Sequence, residues 1–287
     1  MKRMIKNILF GLLIVVGAVL LYAYLAYPAE FVNRMLRWGD ADVYDYQKFP
    51  ERVLETSGSP FEFSLDLDEE RVRTQFELAS DIDDFDSFLE KNRTQAFIVI
   101  QDDAILYEEY FNGASRDTIV TSFSTAKSFT SALVGIAISE GRIHSVDDPI
   151  TGYLPELAER DPAFGNITIR DLLMMSSGIK YAEPPEDAKT YYWPDLQQLV
   201  LEETKIEGTP GEKFHYNNYH PLLLGMILER ATGTSVANYL EEKIWKPVGM
   251  EFPGSWSLDE AGFEKMESGI NARAIDFAKF GRYGFFP

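Results

Sequence analysis

The chain has 287 residues, 45% apolar and 14% aromatic, enough for one large domain or two modest ones with a real core. A net charge of −19 argues against a nucleic-acid partner, because phosphate contacts need clustered lysine and arginine. The absence of cysteine excludes disulfides and thiolate metal sites, and His144, His215 and His220 lack the helical spacing of a zinc site, so no metal or cofactor is expected.

In chain order, Ile8 to Tyr27 (ILFGLLIVVGAVLLYAYLAY) is a run of 20 residues without a charge. As a helix it measures about 30 Å, the thickness of a hydrocarbon core. Candidate cleavage points put Leu21, Tyr24 or Tyr27 at the −3 position, where a signal peptidase needs a small residue, so the segment reads as an uncleaved anchor. Lys2, Arg3 and Lys6 precede it, and Arg34 and Arg37 follow at greater distance. The positive-inside rule then leaves the N-terminus in the cytoplasm and the rest of a single-pass protein on the extracytoplasmic side. The organisation expected is an anchor over residues 1–29, a stalk and entry segment over 30–82, and a catalytic domain over 83–287.

Within that last part, Phe85, Phe88 and Leu89 fall at helical spacing. QAFIVIQDDAILYEEYFNG reads as two strands around a polar turn at Gln101–Asp103, a hairpin ending at Asn112-Gly113. A helix begins near Ser124 and stops before Gly141. Downstream the pattern is helical with loops between. Thr168 and Asp171 stand at capping-box spacing, Pro221 and Gly233 bracket another helix, and Ser235 caps the next. Asn271 to Gly281 reads as a last helix. A lone hairpin, roughly Ala96–Phe111, is only marginally stable, so partner strands or a cover are required. Asp147-Asp148 precede Pro149 and read as a turn cap rather than a cation site.

The chemistry is concentrated in SFSTAKSFTSALVGIAI, where Ser124 and Lys127 stand at i, i+3 on one helix face. A serine hydroxyl is a weak nucleophile until a base takes its proton, and a lysine can be that base when burial disfavours its charge. The apolar run after Lys127 is expected to supply the burial, and the helix start to supply N–H groups for developing negative charge. Ser-x-x-Lys alone is weak, since about one arises by chance in a chain this long. Ser177-Gly178-Ile179-Lys180 also fits, but it lies at a helix end with a glycine inside, which spoils a rigid pairing. In PGEKFHYNNYH, Tyr216 and Asn218 form a Tyr-x-Asn on a loop, with Tyr216 placed for proton relay and Asn218 for a substrate amide. The second Tyr-x-Asn, Tyr110 to Asn112, is a strand running into a turn. Tyr181, Tyr191, Tyr192 and Trp193 are either ordinary surface packing or one wall of a pocket, with Tyr181 as the candidate substrate contact.

Together these segments, in this order, resemble the serine β-lactamase and penicillin-binding-protein superfamily. The similarity is greatest to class C β-lactamase-like hydrolases, including esterases and the 6-aminohexanoate-dimer hydrolase group. It runs from about Thr94 to the end and includes SVDDPITGYLPEL, ITIRDLLMMSSGI and IWKPVGM. The resemblance implies an α+β fold, with an antiparallel sheet flanked by helices and an all-helical lobe. It also implies Ser124 as acylated nucleophile, Lys127 as its base, Tyr216 as the second proton-transfer group and Asn218 as a substrate contact. The family's third motif, Lys/His-x-Gly on a later strand, has no counterpart after Asn218. The expectation is therefore a truncated or incompletely recorded chain, with the C-terminal strands missing and the hairpin left without neighbours. The function expected is a membrane-anchored serine hydrolase of small amides, esters, β-lactams or peptidoglycan stem peptides. The alternatives are a non-catalytic penicillin-binding-like sensor and an inactive remnant.

Overall fold

The computed structural model describes residues 2–285. Helix α1 (Lys2–Ala26) carries the apolar stretch Ile5–Ala26, which is exposed along its length. Pro28 ends this run, and α2 (Ala29–Trp38) then buries Phe31, Val32 and Arg34 on one face. A 3-10 turn (Asp45–Gln47) leads into β1 (Glu51–Leu54), β2 (Ser64–Leu65), α3 (Glu69–Ser80) and α4 (Phe85–Lys91). The segment read as a stalk is thus part of the folded body. It supplies a strand to each of two sheets and a helix to the cleft described below. No period-2 apolar pattern marks those strands, because Glu51-Arg52-Val53-Leu54 buries only Leu54.

The expected hairpin is present as β3 (Ala96–Gln101) and β4 (Ala104–Tyr110), joined by Asp102 and Asp103, both at positive φ as a tight hairpin turn requires. It is not left bare. β2 pairs with β4 in parallel, α3 packs on β4, and α13 (Ala274–Phe285) packs on β3. A bulge sets Val99 opposite Tyr107 but Ile100 opposite Ile105, so Leu106 is the extra residue. The inserted residue reverses which face each later side chain takes. Tyr107 therefore packs with Phe85, Phe97 and Val99 on one face, and Ile105 with Phe63, Ile98 and Ile275 on the other. The expectation that the hairpin's apolar residues lack neighbours is corrected: Ile105 and Tyr107 are fully covered by helices and by β2.

The second sheet has the order β1-β6-β7-β5, all antiparallel, with β5 at Val120–Thr121, β6 at Gly254–Ser257 and β7 at Ile270–Ala272. Its interior is polar where strands usually bury aliphatic residues. The Asn271 amide donates to Ser255 Oγ (3.1 Å) and Ser257 Oγ (2.9 Å) and accepts from Thr121 Oγ1 (3.0 Å). Every one of these groups is buried and paired, so the ladder carries no large desolvation penalty. The stretch read as helices with loops between is corrected here, because Gly254–Ser257 and Ile270–Ala272 are strands and the last helix starts at Ala274, not Asn271.

Between these strands lies the helical lobe: α5 (Ala126–Ser139), α6 (Pro155–Arg160), α7 (Ile169–Leu173), α8 (Pro185–Tyr192), α9 (Leu196–Glu203), α10 (Tyr219–Thr232), α11 (Val236–Leu240) and α12 (Lys246–Val248). The capping box at Thr168 and Asp171 forms, Ser235 caps α11, and Gly233 ends α10 in the left-handed conformation. Helices α5 and α10 pack against each other in the main core, which includes Phe129 and Leu133 of the first and Leu222, Leu223 and Met226 of the second. Each such side chain contributes about 1.5–3 kcal/mol by burial. The arrangement is an α+β fold: sheets flanked by helices, with a helical lobe inserted between their strands.

Candidate active site

The site is built where the second sheet hands over to α5. Thr121 pairs with Asn271 at the end of β5, and Ser122 N–H donates to Ile270 O at 2.7 Å. The chain then turns sharply through Phe123, whose φ of +45° is strained for a residue with a side chain. This corner puts Ser124 in a 3-10 turn (Phe123–Thr125) directly ahead of α5, exposed to solvent. Lys127, one turn later, places Nζ 3.1 Å from Ser124 Oγ. The Tyr216 hydroxyl donates to the same Oγ at 2.8 Å. Lys127 Nζ also donates to Glu267 O at 2.9 Å and lies 5.1 Å from the centre of the Tyr216 ring. Three of the residues singled out in the sequence thus meet at one oxygen.

The apolar run after Lys127 does not enclose it as expected. Ala126, Phe129, Thr130 and Leu133 are buried in the core, whereas Lys127 is half-buried and lines an open cleft. Its Nζ is held by a backbone carbonyl and an aromatic face rather than by aliphatic packing.

Tyr216 is displayed by a loop pinned on either side. His215 N–H donates to Met175 O at 2.7 Å. The side chain of Asn217, fully buried, donates to Ile179 O (3.1 Å) and accepts from Tyr219 N–H (2.8 Å) at the head of α10. Asn217 was invisible to motif reasoning, because the residue between Tyr and Asn carries no spacing signal. Asn218 donates its amide N–H groups to Tyr181 OH (3.1 Å) and Asp187 Oδ1 (3.0 Å). The carboxylate demands a donor, which fixes the amide orientation and leaves Asn218 Oδ1 buried and, among the described residues, without a partner.

Tyr181 sits behind this amide rather than in the cleft. It is 4% exposed, and its hydroxyl donates to Asp187 Oδ1 at 2.6 Å. Burial, then the adjacent Asp187, pushes the phenol far above its ordinary range. The structure therefore departs from the expectation of a substrate contact at Tyr181: the ring supports Asn218 and does not line the cleft. Of the neighbouring aromatics, Tyr191 and Tyr192 do line it.

The alternative serine is accounted for structurally. Ser177 is 1% exposed, and its Oγ is 2.6 Å from His220 Nε2 and accepts from Ile179 N–H at 3.1 Å. Lys180 points to solvent and pairs with Glu207 at 2.9 Å. Gly178 between them has φ +75°, and a Cβ there would lie 2.3 Å from Gly208 O. Asp148 accepts from the backbone of His144 and Ser145, the turn-capping role read from the sequence.

Ser124, Lys127 and Asn218 open onto a cleft of about 470 Å³, walled by Phe123, Pro184, Tyr191 and Tyr192, with Glu267 and Ser268 below. Glu267 is buried and pairs with Lys265 at 3.2 Å. Burial holds the Lys265 ammonium below its usual range, even with Glu267 pulling the other way. Lys265 also donates to Tyr191 O at 2.6 Å, so one buried cation fastens the cleft's aromatic wall to the segment whose carbonyl holds Lys127.

Comparison with known proteins bears on this arrangement. The beta-lactamase family model matches residues 85–279, about two thirds of the chain. The 6-aminohexanoate-dimer hydrolase of Paenarthrobacter ureafaciens is 29% identical over 220 residues, covering 71% of this chain and 55% of that protein. Among solved structures, the "Putative 6-aminohexanoate-dimer hydrolase from Bacillus anthracis" is 27% identical with a TM-score of 0.75, covering 86% of this chain and 68% of that one. A class C beta-lactamase, at 18% identity and a TM-score of 0.57, covers 75% of this chain and 65% of its own, and shares the fold. The chain spans about half the length of the curated relatives it matches.

Proposed function

The chain belongs to the beta-lactamase family, and from that premise we propose that it opens small amides or esters through an acyl-enzyme on Ser124. The observation that carries this reading is the convergence of Lys127 Nζ and Tyr216 OH on Ser124 Oγ, at 3.1 and 2.8 Å. In the proposed reaction the Lys127 side chain takes the Ser124 proton while one of its N–H bonds stays on Glu267 O. Oγ attacks the substrate carbonyl carbon, and the tetrahedral oxyanion faces the N–H groups at the start of α5, where the helix dipole is positive. Collapse breaks the C–N or C–O bond. Tyr216 gives its proton to the leaving nitrogen or oxygen, and Lys127 restores the phenol with the proton taken from Ser124. Water, deprotonated by the same pair, then attacks the ester, releasing the acid and free Ser124. Asn218, which lines the cleft, is the substrate contact in this reading.

For substrate, the relative named as a 6-aminohexanoate-dimer hydrolase points toward a short linear amide. β-Lactams and peptidoglycan stem peptides remain in the class to be screened. Helix α1 anchors the enzyme, residues 1–29 forming the cytoplasmic start and the membrane span, with the cleft on the extracytoplasmic side. Residues 30–82 belong to the catalytic body together with 83–287.

Covalent labelling by a fluorophosphonate tests the assignment. Ser124→Ala should abolish it and Ser177→Ala should leave it intact. Label that survives Ser124→Ala overturns the reading. A β-lactam adduct that forms on Ser124 and never clears would make the protein a binding module rather than a hydrolase.

A further inference from the structure

The cleft has a wall that the proposed chemistry does not use. Met35, Gly39, Asp40 and Ala41 line it together with Ser124 and Lys127, and all four come from α2 and the turn after it. Met35 is 41% and Leu36 60% exposed. Consecutive helical residues point about 100° apart, and of these two only Met35 lines the cleft. Phe123, Pro184, Tyr191 and Tyr192 are the apolar part of the remaining lining, which also holds Asp187, Thr190 and Glu267.

The segment is fastened to the catalytic body by an unusual set of buried contacts. Arg34 is 5% exposed, donates to Tyr192 O (3.1 Å) and Trp193 O (3.4 Å), and pairs with Glu260 at 2.6 Å. Its guanidinium lies over Trp38 and Phe49, 5.3 and 5.7 Å from the ring centres. Tyr192 OH donates to Gly39 O and Tyr191 OH to Asp45, each at 2.5 Å. A planar, five-donor guanidinium can meet two carbonyls and a carboxylate at once, and a lysine ammonium cannot hold the same fork. The residues that line the cleft from α8, Tyr191 and Tyr192, are thus locked to the residues that line it from α2.

From this geometry we infer that the segment from Ala29 to Asp45 is a substrate-recognition wall. Met35 is a specificity-determining residue that packs on an apolar group flanking the scissile carbonyl, and Arg34 is the residue that positions it. Methionine suits the task because its flexible, polarizable thioether fits chains of varying shape. The inference rests on the Ser124 acyl-enzyme reading, and the substrate class it adds is an amide or ester bearing an apolar acyl chain.

The test compares p-nitrophenyl octanoate with p-nitrophenyl acetate on the full chain in detergent. Met35→Trp fills the wall and should lower the octanoate-to-acetate ratio of kcat/KM by about tenfold, through KM for octanoate. Leu36→Trp, one residue away and off the cleft, should change neither. Arg34→Met should raise KM for octanoate in the same direction, with Arg34→Lys intermediate, while fluorophosphonate labelling of Ser124 keeps its wild-type rate. An unchanged ratio in Met35→Trp, or an equal change in Leu36→Trp, overturns the inference. A wild-type chain that fluorophosphonate does not label sinks the acyl-enzyme reading itself and this inference with it, a result distinct from labelled protein with unaltered selectivity.

Discussion

At the scale of single residues, the site depends on one oxygen shared by two proton carriers. Lys127→Ala should cost at least about 10³-fold in kcat/KM, because proton abstraction and its return to Tyr216 are lost together, and Tyr216→Phe should cost about 10²-fold with the fold kept. Steady-state hydrolysis of a short-chain ester measures both, and normal turnover by Tyr216→Phe would remove that phenol from the mechanism. His220 gives a prediction of another kind. Burial, with His215 nearby, drags its pKa from 6.5 to about 3. Between those values the unfolded chain takes up a proton that the folded chain refuses. The stability it contributes is therefore complete above about pH 6.5 and drains away as pH falls toward 3. His220→Gln should flatten that part of a stability-versus-pH curve, as read by urea unfolding at stepped pH, and an unaltered slope would contradict a neutral buried imidazole. Ser124, Lys127, Tyr216 and Asn218 could be singled out in the sequence because they stand at short spacings: one helical turn and one loop tripeptide. Asn217, Glu267 and Met35 were not, because each acts through partners at least 38 residues away or through the cleft itself. Tyr181 was misread for a related reason. An aromatic after a glycine loop signals proximity to a site, and only the hydrogen bonds to Asp187 and Asn218 show which side of the wall it occupies.

At the scale of elements, helices declared themselves and short strands did not. The capping box at Thr168, the Ser235 cap and the Gly233 stop are local chemistry, so they could be read where they stand. β1, β6 and β7 are three or four residues long, and the side chains that link β7 to β6 and β5 are buried serine, threonine and asparagine. Such strands exist only through their neighbours, which is where propensity loses to tertiary context. Helix α10 shows the same override within a helix. Gly225 occupies its interior, where alanine is favoured by up to about 1 kcal/mol on propensity alone. A Cβ there would lie 2.5 Å from Met266 Cγ and 3.0 Å from Phe263 Cζ, on the segment that leads to Glu267. Gly225→Ala should therefore destabilise by about 1–3 kcal/mol, as overpacking does, and lower ester turnover with it. A rise in melting temperature would show that Met266 yields easily and that the close approach is incidental.

At the scale of the whole molecule, the apolar helix and the segment that lines the cleft are one continuous piece of chain. Tyr27, just past α1, packs edge-on against Trp193, and Phe31 sits 5.2 Å from the same ring, so the body begins directly where the apolar helix ends. At 1.5 Å per residue, Met35 lies only about 15 Å of helix beyond Ala26. The protein should fractionate with membranes and resist high salt and carbonate, because burial of some 20 apolar residues far outweighs surface charge. Release by salt, or a mature N-terminus near Ala29, would show a cleaved leader instead. The central claim, an acyl-enzyme on Ser124, is tested most directly by trapping it. The full chain is incubated with p-nitrophenyl octanoate, quenched in acid during turnover and digested with trypsin, and the peptide Asp117–Lys127 is weighed by mass spectrometry. An octanoyl group should appear on Ser124 during turnover and be gone once substrate is exhausted. Steady hydrolysis with that peptide unmodified, or with the acyl group on another residue, would contradict it.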